Sequence, residues 1–125
     1  MIRSSQRDQL LRLMRDLTRT LASVAGDRKA GRTQATLTAI AGAERALLGP
    51  MGAVVPRVDA ETAAQMLGEP LRIAAYARLL HERAGASTGA EADALAARAA
   101  HMAAAARTRS PADDPGVEEF IGGWS

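Results

Sequence analysis

On a helical wheel of 100° per residue, Leu13, Met14, Leu17, Leu21 and Val24 fall within roughly 60° of Leu10. Asp8, Arg12, Arg15, Asp16 and Arg19 fall on the opposite side. This alternation predicts a first helix over about residues 5–24. Ser5 and Asp8 have the spacing of a capping box, and Asp8 with Arg12 makes an i,i+4 pair of favourable polarity. Gly26 is placed to stop the helix. After a polar turn at 27–32, Leu37, Ile40, Ala41, Leu47 and Leu48 recur at helical spacing and predict a second helix over about 33–48. Glu44 falls inside that stripe and is expected to pair with an arginine. Gly49-Pro50 ends it.

Residues 50–58 hold two prolines but are too apolar for a free linker, so Met51, Val54 or Val55 is expected to be buried. Asp59 is the expected cap of a short helix over about 60–67, stopped at Gly68. Pro70 opens a fourth helix reaching about Ala84. Its stripe is Ile73, Tyr76, Ala77, Leu80 and Ala84. Leu71 and Leu79 lie off that stripe and predict a second contact surface. Thr88 with Glu91 is a second capping-box spacing, opening a fifth helix over about 90–107 with Leu95 and Met102 on its core line. That helix is mostly Ala, the best helix former but a residue that buries little area, so it must pack closely. The pattern predicts an all-α fold of about five helices in two antiparallel hairpins. Residues 1–110 form the helical domain, and 111–125 an irregular acidic and aromatic tail.

Length and composition agree with one domain. The chain has 125 residues, enough to bury a core without disulfides or metals, and no Cys. The beginning, Met1-Ile2-Arg3-Ser4-Ser5-Gln6-Arg7-Asp8, lacks the apolar core of a secretion signal. No run approaches the roughly 18 apolar residues of a membrane span. The expectation is a cytoplasmic protein with no membrane partner.

Two stretches share a layout. Residues 10–48 are a long helix, a polar turn with Gly and a helix ending Ala46-Leu47-Leu48-Gly49. Residues 71–106 are a helix carrying Ala77-Arg78-Leu79-Leu80, a turn with Gly85 and Gly89, and a second helix. Each spans about 35 residues, the tetratricopeptide period, without that repeat's Trp-x-x-Leu-Gly opening. Ala74, Ala77, Ala84, Ala96, Ala99 and Ala103 are small enough for close helix crossings. The order of pieces also resembles a bacterial family of uncharacterised tetratricopeptide-like helical proteins. The likeness lies in Arg7-Asp8-Gln9-Leu10-Leu11-Arg12-Leu13-Met14, in Leu47-Leu48-Gly49 and in Leu79-Leu80-His81-Glu82, and spans about residues 7–106. The resemblance implies a fold and no particular activity.

Candidate chemistry is sparse. His81-Glu82 has the start of a zincin motif, but position 85 is Gly, so the second ligand on that turn is missing. A metal site would require His81 and His101 to converge with a carboxylate such as Glu82, and boundary histidines are the simpler reading. Asp113-Asp114 and Glu118-Glu119 sit in a Pro/Gly-rich segment that is a poor holder for acid/base catalysis. No phosphate loop, nucleophile elbow or dinucleotide fingerprint occurs. No enzyme activity, cofactor or metal is expected.

Charge gives a second lead. Fifteen of the 16 cations are Arg, and the net charge is +2. Arg12, Arg15 and Arg19 form a stripe on the first helix, and Arg28, Lys29 and Arg32 cluster after it. These could contact the phosphates of a nucleic acid, though no aromatic lies there to stack on bases. Of the three aromatics, Phe120 and Trp124 lie in the last six residues, with Ile121 between them. Three large apolar side chains together in water need a reason. They fold back on their own domain, exchange with a sister protomer, or dock into another protein. The acidic tail also suits the Arg12, Arg15 and Arg32 surface. The leading expectation is a non-enzymatic helical-repeat-like interaction module, a homodimer, with Arg12, Arg15, Arg19, Arg28, Arg32, Phe120, Ile121 and Trp124 as partner-binding residues. The alternative is a nucleic-acid-associated regulator using the Arg-rich surface. A small-ligand pocket between helices is the third reading.

Overall fold

The computed structural model describes residues 2–111 and 114–125, with side chains from Gln6 onward. The fold is all-α. Among the described residues six α-helices follow in order: α1 (Ile2–Lys29), α2 (Thr33–Leu48), α3 (Ala60–Leu67), α4 (Pro70–Gly85), α5 (Gly89–Arg109) and α6 (Pro115–Ile121). Two short 3-10 turns, Gly49–Ala53 and Val55–Arg57, bridge α2 and α3. No described helix is long and apolar enough to cross a membrane.

The first hairpin is α1 against α2. Leu10, Met14, Leu17, Leu21 and Val24 are buried, as the wheel predicts. The helix does not stop at Gly26. It continues one further turn to Lys29, with Arg28 and Lys29 at the end that favours positive charge. The turn falls instead at Gly31, whose φ of +73° suits a residue without a Cβ. Because the helix begins at Ile2, the expected Ser5 box lies within it, and the Ser5 side chain is outside the described set. In α2, Ile40, Leu47 and Leu48 are buried, Leu37 and Ala41 only half-buried. Thr36 is buried too, its hydroxyl donating to the Arg32 carbonyl at 3.0 Å.

The connector packs as its composition predicts. Val55 is buried and Met51 half-buried, while Val54 is exposed. Arg98, from the middle of α5, secures it by donating to the carbonyls of Val55 at 2.8 Å and Val58 at 2.7 Å. Asp59 caps α3, accepting from the Thr62 amide at 2.7 Å.

The second hairpin, α4 against α5, is the most extensive helix contact in the fold. Ala74 and Ala77 on α4 and Ala99 and Ala103 on α5 are buried, which lets the axes come close. Ala84 is half-buried and Ala96 exposed, so the expected small-residue line is shorter than six positions. Thr88 precedes α5 with no side-chain cap, contrary to the box spacing. The helix starts at Gly89, whose φ of +63° turns the chain.

The C-terminal segment differs from the irregular tail expected. Asp114 accepts from the amides of Gly116 and Val117 and opens α6, with Pro115 at its first turn. Val117, Phe120 and Ile121 are buried in the same hydrophobic cluster as the other helices. Asp113 lies outside the described residues. The central element is α4, which touches each of the other five helices and buries Ile73 through Ala77 without interruption.

The close α4–α5 packing makes an overpacking test direct. Ala77→Leu should lower the unfolding free energy by about 1–3 kcal/mol, read as a reduced urea midpoint. A change below about 0.5 kcal/mol would mean that the two helices have slack.

Candidate functional site

The residues Leu11, Arg15, Thr18 and Arg19 stand on α1 next to its buried stripe, on the side away from α2. Across from them are Leu71 at the start of α4 and Gly116, Glu119 and Phe120 of α6. Together with Met14 they line an open groove of about 620 Å³. Its floor is apolar. Leu11 is 41% exposed, one of two large hydrophobics left in water among the described residues, while Met14 and Phe120 are buried beneath. Gly116 is what brings α6 so near: a Cβ there would meet a Leu71 methyl at 3.3 Å. Arg15 and Arg19 stand on one rim and Glu119 on the other.

A second cleft, of about 730 Å³, lies at the far end of α1 and is lined by Ala25, Gly26, Arg28, Lys29, Arg78 and Glu82. Glu82 is 6% exposed. One carboxylate oxygen accepts from Arg28 of α1 at 2.6 Å, and the other from Arg78 of α4 at 2.8 Å. Burial pushes the Glu82 carboxyl up, but the hydrogen bonds and charges of Arg78 and Arg28 outweigh it and hold it below its ordinary value. Arg28 reaches Glu82 across Gly85, where a Cβ would stand 2.5 Å from the guanidinium. The glycine at this helix end therefore makes room for a side chain. Arg78 also donates to the Phe120 carbonyl at 3.4 Å, joining α6 to the same cluster.

Beside it, His81 stacks on Trp124 with ring centroids 4.3 Å apart and planes 9° from parallel. The indole N–H donates to the Phe120 carbonyl at 2.8 Å. Burial lowers the His81 pKa, Arg78 and Arg28 add to this, and Glu82 opposes it. No described cluster of three or more His, Asp or Glu side chains could hold a metal ion. His101 is exposed on α5, next to Asp59 and Glu61.

The structure divides the arginines that the sequence groups together. Arg12 and Arg15 are exposed. Arg19 sits 3.7 Å from Asp16, both in solvent, a weak pairing. Arg28 is committed to Glu82, and Arg32 pairs with Asp27 at 3.2 Å. Phe120 and Ile121 are in the chain's own core, and Trp124 is half-buried on His81. The acidic tail meets Arg107 rather than Arg12, Arg15 or Arg32. Both carboxylate oxygens of Glu118 accept from Arg107 at 3.1 Å, and the Ser125 hydroxyl bonds it at 2.7 Å. Glu44 pairs with Arg83 at 2.9 Å, as expected of a glutamate in the α2 stripe. Sequence reasoning missed the Arg28–Glu82–Arg78 cluster. Its one visible signal is the i,i+4 spacing of Arg78 and Glu82; the Arg28 contact crosses 54 positions. Comparison with known protein families, curated proteins and solved structures finds no match.

The pH response follows from these shifts. A histidine whose folded pKa is lowered contributes stability that is present above its unfolded value and lost as pH falls through the folded one. The Glu82 contribution has the same sign and is lost further down, as pH falls from the ordinary carboxylate value through the lowered folded one. The melting temperature should therefore fall in two stages on acidification, the first beginning near pH 6.5. Trp124, the only tryptophan, should report the first stage in its fluorescence. His81→Phe, which keeps a ring against the indole, should abolish that stage alone. A flat profile between about pH 7 and 5, or one unchanged by the substitution, contradicts the assignment.

Proposed function

We propose that this chain is a non-enzymatic, tetratricopeptide-like protein-interaction module, and that it receives a partner segment in the groove beside α1. The observation that carries the reading is Leu11, a large side chain 41% exposed over an apolar floor, with Arg15 and Arg19 beside it. An apolar patch rimmed by charged residues, rather than a lone exposed leucine, is the mark of a docking surface, and Leu11 stands here with Leu71 and Phe120 in one lining. The groove's lining has no histidine or paired carboxylates, and its one hydroxyl, that of Thr18, donates back to the Met14 carbonyl at 3.0 Å. A cytoplasmic location accompanies this reading.

The tail-exchange route to a homodimer draws less support, because Phe120 and Ile121 already fill their own chain's core. The nucleic-acid reading loses two cations, since Arg28 and Arg32 are each occupied by a carboxylate. The groove therefore replaces both the tail and the full arginine cluster as the place of contact.

A photo-crosslinking residue at position 11, with a control at exposed Ala97 on α5, tests the reading in cells. A discrete protein adduct is expected at position 11, reduced by Arg15→Glu and absent at 97. Equal labelling at both positions, or none, contradicts the proposal. Nucleic-acid adducts that weaken steeply with salt would favour the regulator instead.

A further inference from the structure

The two clefts open on one face of α1. Leu11 and Thr18 line the first, and Ala25 and Lys29 line the second. Spacings of seven, seven and four put these four on one line along the helix. Ala22, between them, is exposed and adds little bulk. On α4 the matching line is Leu71 in the first cleft, then Arg78 and Glu82 in the second. The clefts are thus the two ends of one line along the exposed face of α1, a shallow trough flanked by Leu71 and α6 at the first end and by Arg78 and Glu82 at the second, with α4 itself buried from Ile73 to Ala77 between them. From Leu11 to Lys29 the trough follows about 27 Å of helix, or five turns.

Its chemistry is graded along that length. The large apolar side chains, Leu11, Leu71 and Phe120, are at one end. Cations occur at both: Arg15 and Arg19 at the apolar end, and Arg28, Lys29 and Arg78 at the other. Against them stand Glu119 and Glu82, and Glu82 already accepts from two guanidiniums. With Arg28 and Arg78 taken up by Glu82, Arg15, Arg19 and Lys29 against Glu119 still leave the lining a surplus of positive charge beside an apolar floor. A duplex could meet the charge but has no use for the floor. An amphipathic helix with acidic flanks meets both.

We propose that the trough seats one acidic amphipathic helix of a partner protein, about five turns long, with its largest apolar side chains over Leu11 and acidic residues beside Lys29. This rests on the interaction-module reading and specifies the partner.

The test uses the full chain, labelled with ¹⁵N, and two synthetic 18-residue helical peptides. One carries Leu and Ala on one face and Glu on the other; the second has Lys at every Glu. The acidic peptide should shift the amides of Leu11, Thr18, Ala22 and Ala25, and the basic one should shift none. Leu11→Asp should weaken binding at least about tenfold. Lys29→Glu should weaken it about fivefold at low salt. Both positions are exposed, and circular dichroism checks that the variants remain folded. Shifts confined to residues 11–19, with Lys29→Glu silent, would overturn the single-helix inference and leave the interaction reading standing. So would no binding by the acidic peptide while crosslinked adducts at position 11 persist. A Leu11-dependent dimer that excludes the peptide would assign the trough to a second copy and overturn the inference equally.

Discussion

A helix with neighbours on every side must carry small or apolar side chains, and any charge it keeps there must be paired. That constraint on α4 organises this protein. Ile73 through Ala77, Leu79 and Leu80 are buried, and the three alanines among them allow α5 to approach closely. The one buried charge of α4, Glu82, would be costly alone, and it is held by Arg28 and Arg78. Arg28 reaches it only because α1 continues past Gly26 and because position 85 has no side chain. The ion cluster therefore accounts for the glycine at position 85 and draws on the extra turn of the first helix. Arg78 extends the same link to α6 through the Phe120 carbonyl.

Features written in local pattern were legible in the sequence. The α1 core stripe, the Asp59 cap with its eight-residue helix, the Pro70 start and the burial of Val55 all follow from spacing and turn chemistry within a few residues. What the sequence hid was decided by tertiary contact. Gly26 has the local signal of a stop, and a Coulomb contact across 54 positions overrides it. Thr88 has the spacing of a cap, yet makes no capping bond. The last segment has the composition of an irregular tail, but Asp114 and Pro115 begin a helix whose three apolar residues are worth burying. Arg98 looks like an interruption in an Ala-rich helix, and its partners are connector carbonyls some 40 positions away.

The candidate site was half visible. Arg15 and Arg19 were legible as a basic face, but nothing local tells that Leu11 stays exposed while Leu10 is buried against the core. That distinction depends on where α6 lands. By filling the apolar surface of α4 from the chain's own C-terminus, α6 removes Phe120 and Ile121 from the list of free docking groups. It simultaneously raises the wall opposite α1. The groove is thus a product of the same packing that closes the core, and its apolar floor is continuous with it.

The central claim is that the middle of α4, Ile73 to Ala77, is enclosed on all sides and that α6 completes the enclosure. Native-state hydrogen exchange of the backbone amides addresses it most directly. If α6 is part of the core, the Phe120 and Ile121 amides exchange through the same cooperative opening as those of Ala75 and Tyr76, and with the same denaturant dependence. If they exchange freely while α4 stays protected, the C-terminal helix is a separable segment and the account of the core is wrong.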